Sequence, residues 1–398
     1  MYSNKDFLKS DNNNIFTLIV ILSFFIIFLL LSYLHIEAIL SEENRRTGEV
    51  LSDFIAFWTA SKMALSGQAS DIYDAAKFAI AEGKAVSPNL AFLPWHNPPI
   101  FLLVIIPFCL FGLTVSMVSW YAVTCLAYIW VIWKILPNRY SFIYAFIFPA
   151  FLHSTLHGQT GTYLVACFAG GLLLLDQKKI VFSALVFSLI AIKPHFGFLL
   201  PIAFIASKEW KLFFYTGFFV LLLCLLSVFF FGWKPWMEFI QGAIDNTIPM
   251  ITDEKYSFLR LQSIFGLGIW LELSAQNSLY LQLISSIFSI CLVYYVWRNE
   301  AISFQLKCST LIIGTLLFSG YVMAHDLLLL VICSLFLVAN ENITNFGKKV
   351  NIGVAFIILL LNSPIGEFFP PNIVSSSLIL IAIYCNIYIF KKALDHQG

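Results

Sequence analysis

The sequence predicts an all-α integral membrane protein, a multi-span helical bundle of about twelve transmembrane helices with short interfacial helices in its first outer loop. Composition carries the class. Of 398 residues, 60% are hydrophobic and 11% are charged, whereas a soluble globular chain carries about a quarter charged residues. Segmentation carries the count, because apolar runs near the ~20 residues of one crossing recur along the chain. Lipid offers no partners to backbone amides, so each crossing is helical. These observations exclude a soluble enzyme and a disordered chain. A formal net charge of +1 supplies no basic field for nucleic acid. The 8 cysteines sit in or beside apolar runs without metal-ligand spacing, so they read as small buried hydrophobes.

The first apolar run, Ile15 to Leu34, follows Lys5 and Lys9. It is too long for a signal-peptide core and lacks a small-residue cleavage site, so it reads as an uncleaved first helix with a cytoplasmic N-terminus. The polar stretch 41–97 forms the first outer loop. Apolar segments follow at about 98–118, 119–136, 140–156, 160–175, 180–206, 212–232, 278–297, 303–322, 327–340, 350–368 and 372–390. Lysines 208, 211, 307, 348, 349, 391 and 392, with Arg298, close loops on one side, which the positive-inside rule makes cytoplasmic. The pieces 41–97 and 233–277, the turn at His325-Asp326, and Pro370-Pro371 then face outward together. Lys134, Arg139, Lys178 and Lys179 break that rule. Broken helices hinged at His157-Gly158-Gln159 and Lys193-Pro194 would account for them. No internal repeat appears, and the outer loops are too short for a separate domain, so residues 1–398 read as one membrane domain.

In so apolar a chain the informative residues are the polar ones at membrane depth or at its edge. Asp53 opens the string Ser52-Asp53-Phe54-Ile55-Ala56-Phe57-Trp58, and two readings stand open for it. A carboxylate set among apolar side chains can act as a general base, and aspartate is also a preferred helix N-cap. Asp71 and Asp74 read as caps. His96 and Asn97, before Pro98-Pro99, sit at the outer interface, either as ordinary interfacial polar groups or as part of a site. Gln159, between Gly158 and Gly161, is either the donor-bearing wall of a site or part of a plain loop. Lys193-Pro194-His195 interrupts the run 180–206. A lysine at such depth costs several kcal/mol unless it finds an anion, and Pro194 frees backbone carbonyls there. Arg260 suits either a membrane anchor or bidentate phosphate binding. His325 begins a helical segment where a phosphate would be welcome, and Asp326 beside it reads as a cap.

Motifs of nucleotide-dependent, zinc and serine enzymes are absent. One outer carboxylate with Lys193, Arg260 and His325 as anion ligands fits transfer from a lipid-linked phosphate sugar. The cations would neutralise the leaving phosphate while the carboxylate takes the acceptor's proton.

The ordered series Asp53-Phe54, Asp71-Ile72-Tyr73-Asp74, Asn97-Pro98-Pro99, Gly158-Gln159, Lys193-Pro194, Gln262-Ser263 and His325-Asp326 resembles glycosyltransferase family 87 over about residues 15–340. That family comprises GT-C-fold, polyprenyl-phosphate-mannose-dependent mannosyltransferases and their relatives. The resemblance implies a GT-C bundle with an external active site and an inverting transfer without metal or other cofactor. The partners it implies are a polyprenyl-phosphate sugar donor, a lipid or glycan acceptor, and membrane lipids. Asp53 matches the catalytic aspartate. Lys193, His325 and Arg260 are expected at the donor phosphate, and Gln159, His96, Asn97, Gln262 and Asp326 at the substrates. His96-Asn97 replaces an aromatic frequent before the Pro-Pro pair, and Thr160-Gly161 replaces an asparagine frequent after Gly-Gln. Both departures bear on which sugar or acceptor fits. The remaining alternatives are a transporter or flippase of lipid-linked saccharide and an envelope glycan polymerase or ligase. A bacterial inner membrane is the expected location.

Overall fold

The computed structural model describes residues 52–86, 92–137, 146, 149–252 and 261–339. The first apolar run, Arg260 and the last two expected spans lie outside them. Every regular element among the described residues is helical.

Helix α1 (Phe54–Leu65) opens the first loop region and stops before Gly67, whose φ of +80° turns the chain. Helix α2 (Ala75–Ala85) begins where Asp74 accepts from the amides of Ala76 and Lys77, the cap expected of it. Pro98-Pro99 leads into α3 (Ile100–Ile105), which Pro107 and a short 3-10 turn at Phe108–Leu110 end. Helix α4 (Leu113–Ile135) follows. The stretch expected as two spans at 98–118 and 119–136 is therefore one short helix, a turn and one long helix. Pro107 lacks the amide needed to carry α3 onward.

Next come α5 (Pro149–Leu156) and α6 (Gly161–Asp176). The run 180–206 is broken at the expected lysine-proline step. Helix α7 (Ile180–Ser188) tightens into a 3-10 turn at Leu189–Ile192, and Lys193 leaves helical geometry at φ −129°, ψ 79°. Pro194 then starts α8 (Pro194–Gly197), followed by α9 (Leu199–Ala206). A residue before proline is pushed out of the α region, and the proline nitrogen offers no bond to the turn before it.

Helix α10 (Trp210–Phe231) ends at Gly232, where φ is +82°. The chain folds straight back into the amphipathic α11 (Lys234–Thr252), whose Trp236 indole donates to Ser227 Oγ at 2.9 Å. Helix α12 (Ile264–Trp270) is capped by Ser263 and α13 (Ala275–Arg298) by Ser274. Helix α14 (Phe304–Phe318) and, after a 3-10 segment at Ala324–Leu328, α15 (Leu329–Ala339) complete the described chain.

Among the described residues three helices, α4, α10 and α13, are long and apolar enough to cross a membrane. The 22 residues of α10 extend about 33 Å at 1.5 Å per residue. Its Phe214 and Phe229 are 67% and 79% exposed, as a lipid-facing surface requires. The protein is a membrane protein whose described regular elements are all helical.

Two apolar clusters organise the described residues. The larger gathers α4, α6, α7, α9, α13, α14 and α15. The smaller, built on aromatic side chains of α1, α3 and the start of α4, includes Phe54, Phe57, Trp95, Phe101 and Trp120. Phe57 meets Phe101 edge-on at 4.9 Å, and Trp95 stacks on Phe101 at 5.5 Å, geometries that aromatic quadrupoles favour. Ile192 belongs to the smaller cluster and Phe196 to the larger, so Lys193 stands at their seam.

Candidate active site

Asp53 occupies the N-cap position of α1 without using its side chain as a cap. The carboxylate instead turns across the seam, where Oδ2 accepts from Gln159 Nε2 at 2.7 Å. Gln159 reaches it because the chain after α5 makes a tight turn through Gly158 at φ +69°. A Cβ on Gly158 would fall 2.5 Å from the Cβ of Phe54, so only glycine lets the turn seat on α1. Ser52 Oγ donates to the carbonyl of His157 at 3.2 Å and ties the same turn from the other side. Asp53 is half-buried, and the amide bond engages one of its oxygens. Such a carboxylate is fixed in direction and keeps acceptor capacity for a proton.

The second group is sealed. Lys193 is 8% exposed, His325 4% and Asp326 0%. Lys193 Nζ donates to Asp326 Oδ1 at 2.7 Å and meets His325 Nε2 at 3.0 Å. An ammonium only donates, so Nε2 is the acceptor and the imidazole proton rests on Nδ1. These two contacts use two of the three ammonium protons. Phe196 presents its ring 5.8 Å from Nζ. Asp326 Oδ2 accepts from the Met323 amide at 3.0 Å, so this aspartate both caps its 3-10 turn and neutralises the lysine. Within the pair the charges cancel, which permits burial. Gly161 at the start of α6 admits this turn, since a Cβ there would meet the His325 carbonyl at 2.5 Å.

Two tyrosines stand between or beside these groups. Tyr321 lies within electrostatic reach of both Asp53 and Asp326. Tyr121 places its buried hydroxyl beside Ser52 and within electrostatic reach of Asp53. The sequence reading assigned neither, because a tyrosine in a chain with 17% aromatic residues gives no local signal. His195 is the third such neighbour, its ring edge-on to Tyr321 at 6.0 Å.

Among the other expected site residues, the Gln262 amide donates to the Val322 carbonyl at 2.7 Å, which ties its buried segment to the Tyr321 turn. His96 is exposed, and the Asn97 carbonyl accepts from Tyr73 Oη at 2.9 Å. Their segment packs on α1 through Trp95 and Phe57. Tyr73 in turn meets Phe239 of α11 at 6.1 Å, so the regions 41–97 and 233–277 touch there. Arg260 lies outside the described residues.

Fold and site together define a helical membrane protein with a half-buried carboxylate held by Gln159 and a buried lysine-aspartate-histidine group. The profile of glycosyltransferase family 87 matches residues 95–320, more than half of the chain, and the protein belongs to that family. It is a glycosyltransferase, with sugar donor and acceptor as substrates. Asp53 lies well before the match and His325 and Asp326 shortly after it, and their side chains meet Gln159 and Lys193 within it. Searches of curated proteins and of solved structures found no match.

Proposed function

We propose that the protein transfers a hexose, with mannose as the first candidate, from a polyprenyl-phosphate donor to a hydroxyl of a lipid or glycan acceptor. The bundle would have about twelve spans in a single domain, with its loops 41–97 and 233–277 and the site on the outer face of a bacterial inner membrane. The observation that carries the reading is the Asp53 carboxylate, which does not cap its own helix and is held by Gln159 from 106 residues away. In the reaction the acceptor oxygen attacks the anomeric carbon as Asp53 takes its proton. The bond from that carbon to the phosphate oxygen breaks, and polyprenyl phosphate departs with the electron pair. Attack opposite the leaving group inverts the anomeric centre. Lys193, with one proton uncommitted, His325 and Arg260 would meet the phosphate. Gln159, His96, Asn97, Gln262 and Asp326 would shape the substrate sites.

Membership in a glycosyltransferase family favours transfer over transport or flipping of the same lipids. The test is incubation of the purified protein with radiolabelled polyprenyl-phosphate hexoses and candidate acceptors. Labelled product of inverted configuration is expected. Absence of transfer from every such donor, with transport in vesicles, would overturn the proposal.

A further inference from the structure

His195 has no assigned role, yet it is a polar side chain beside the Lys193 cluster with an uncommitted ring nitrogen. It lies on α8, one residue past the proline that breaks the run. Its ring is clamped by Phe196, with centroids 4.4 Å apart, and by Tyr321 edge-on. Lys193 and Asp326 both act on it electrostatically, but they are bonded to each other. His195 Nε2 is buried and has no hydrogen-bond partner among the described residues. A buried polar atom without a partner costs free energy, which a fold recovers when a ligand supplies the missing bond.

The geometry points to His195 and Tyr321 as the subsite for the ring of the transferred hexose, with Nε2 bonding a sugar hydroxyl and the tyrosine ring lying along the sugar. This deepens, and rests on, the transfer reading above. Tyr321 packs edge-on to His195 and lies within electrostatic reach of both Asp53 and Asp326, so the pair is placed to meet a sugar shared by the base and the phosphate ligands of the proposed reaction. A hydroxyl both donates and accepts and therefore satisfies Nε2 in either tautomer, whereas a phosphate oxygen satisfies only an N–H. In the transfer reading Lys193 serves the anion side, which leaves His195 for the sugar.

The test compares the affinity of the detergent-purified full chain for polyprenyl phosphate and for the same lipid carrying a hexose. His195→Phe keeps a ring against Phe196 and Tyr321 and removes Nε2. It should weaken binding of the glycosylated lipid about tenfold, the value of one neutral hydrogen bond at its upper end, and leave the bare lipid unaffected. His195→Asn, which restores a donor and acceptor, should recover part of the loss and guards against a folding defect in the phenylalanine variant. An equal loss for both lipids would make His195 a phosphate ligand, and no loss for either would make it structural; each result overturns the subsite. A labelled-transfer assay on the wild type separates the two proposals. Selective loss of sugar affinity in His195→Phe, in a protein that transfers nothing, would support the subsite and count against transfer.

Discussion

Asp53 and Asp326 are both aspartates at the start of a helical turn, and the fold uses them in opposite ways. Asp53 is half-buried and held by an amide from 106 residues away. Asp326 is fully buried, caps its own turn and neutralises a lysine 133 residues away. An accessible carboxylate can meet a substrate and take its proton. A sealed one, already committed to an ammonium and a backbone amide, can only position others. In the proposed transfer, this difference gives the proton-taking step to the Asp53 end and electrostatic framing to the Lys193 end.

The sharpest way to break that contrast is to remove the negative charge at each end. Asp53→Asn keeps the shape and removes the base, so kcat should fall by about 10²–10⁴, the usual worth of general base catalysis. The melting temperature should stay near that of the wild type. Full activity in this variant would end the assignment of Asp53 as base.

At the sealed end the damage should appear first in stability. Lys193→Ala leaves Asp326 buried and uncompensated, a loss of about 3–5 kcal/mol, visible as a lower midpoint in thermal unfolding. Combining Lys193→Met with Asp326→Leu removes both charges and should recover much of that loss while donor binding remains impaired. Normal donor affinity in the stable double variant would deny the group any part in recognition.

Glu82 supplies a third carboxylate, this one inside the first loop region. It is 1% exposed, and Oε2 accepts from the Leu93 amide at 3.1 Å while Oε1 has no partner among the described residues. Burial pushes its carboxyl from an ordinary 4.5 up to about 7, with the Leu93 bond pulling the other way. The folded state therefore holds a proton that the unfolded chain releases at lower pH. The contribution of the neutral acid is fully present below about pH 4.5 and is lost as pH rises through about 7. Glu82→Gln should raise stability by on the order of 1–3 kcal/mol at pH 8 and leave it unchanged at pH 4. Equal melting shifts at both values would show that the acid is not buried as described.

The smallest effect belongs to Gln159→Ala, which frees the Asp53 carboxylate without removing it. A roughly tenfold drop in kcat with little change in donor KM is expected, about 1.4 kcal/mol of lost positioning. If KM rises instead, Gln159 binds substrate rather than the base.

The composition alone determined the solvent of this protein, and so its helical architecture, because a bilayer leaves the backbone no other way to bond. Scarcity of charge also made Asp53, Lys193 and His325 visible, and the proline after Lys193 marked the break in the run 180–206. Partners were beyond its reach. Whether Asp53 caps α1 or faces a site depends on a glutamine 106 residues onward, and whether Lys193 is free or paired depends on Asp326. Pro107 ended a helix inside what hydropathy alone reads as one span. Tyr121 and Tyr321 gained meaning only from what they stand beside. Periodicity and composition act along the chain and can be read there. Hydrogen bonds and ion pairs between distant segments exist only once packing has chosen which segments meet.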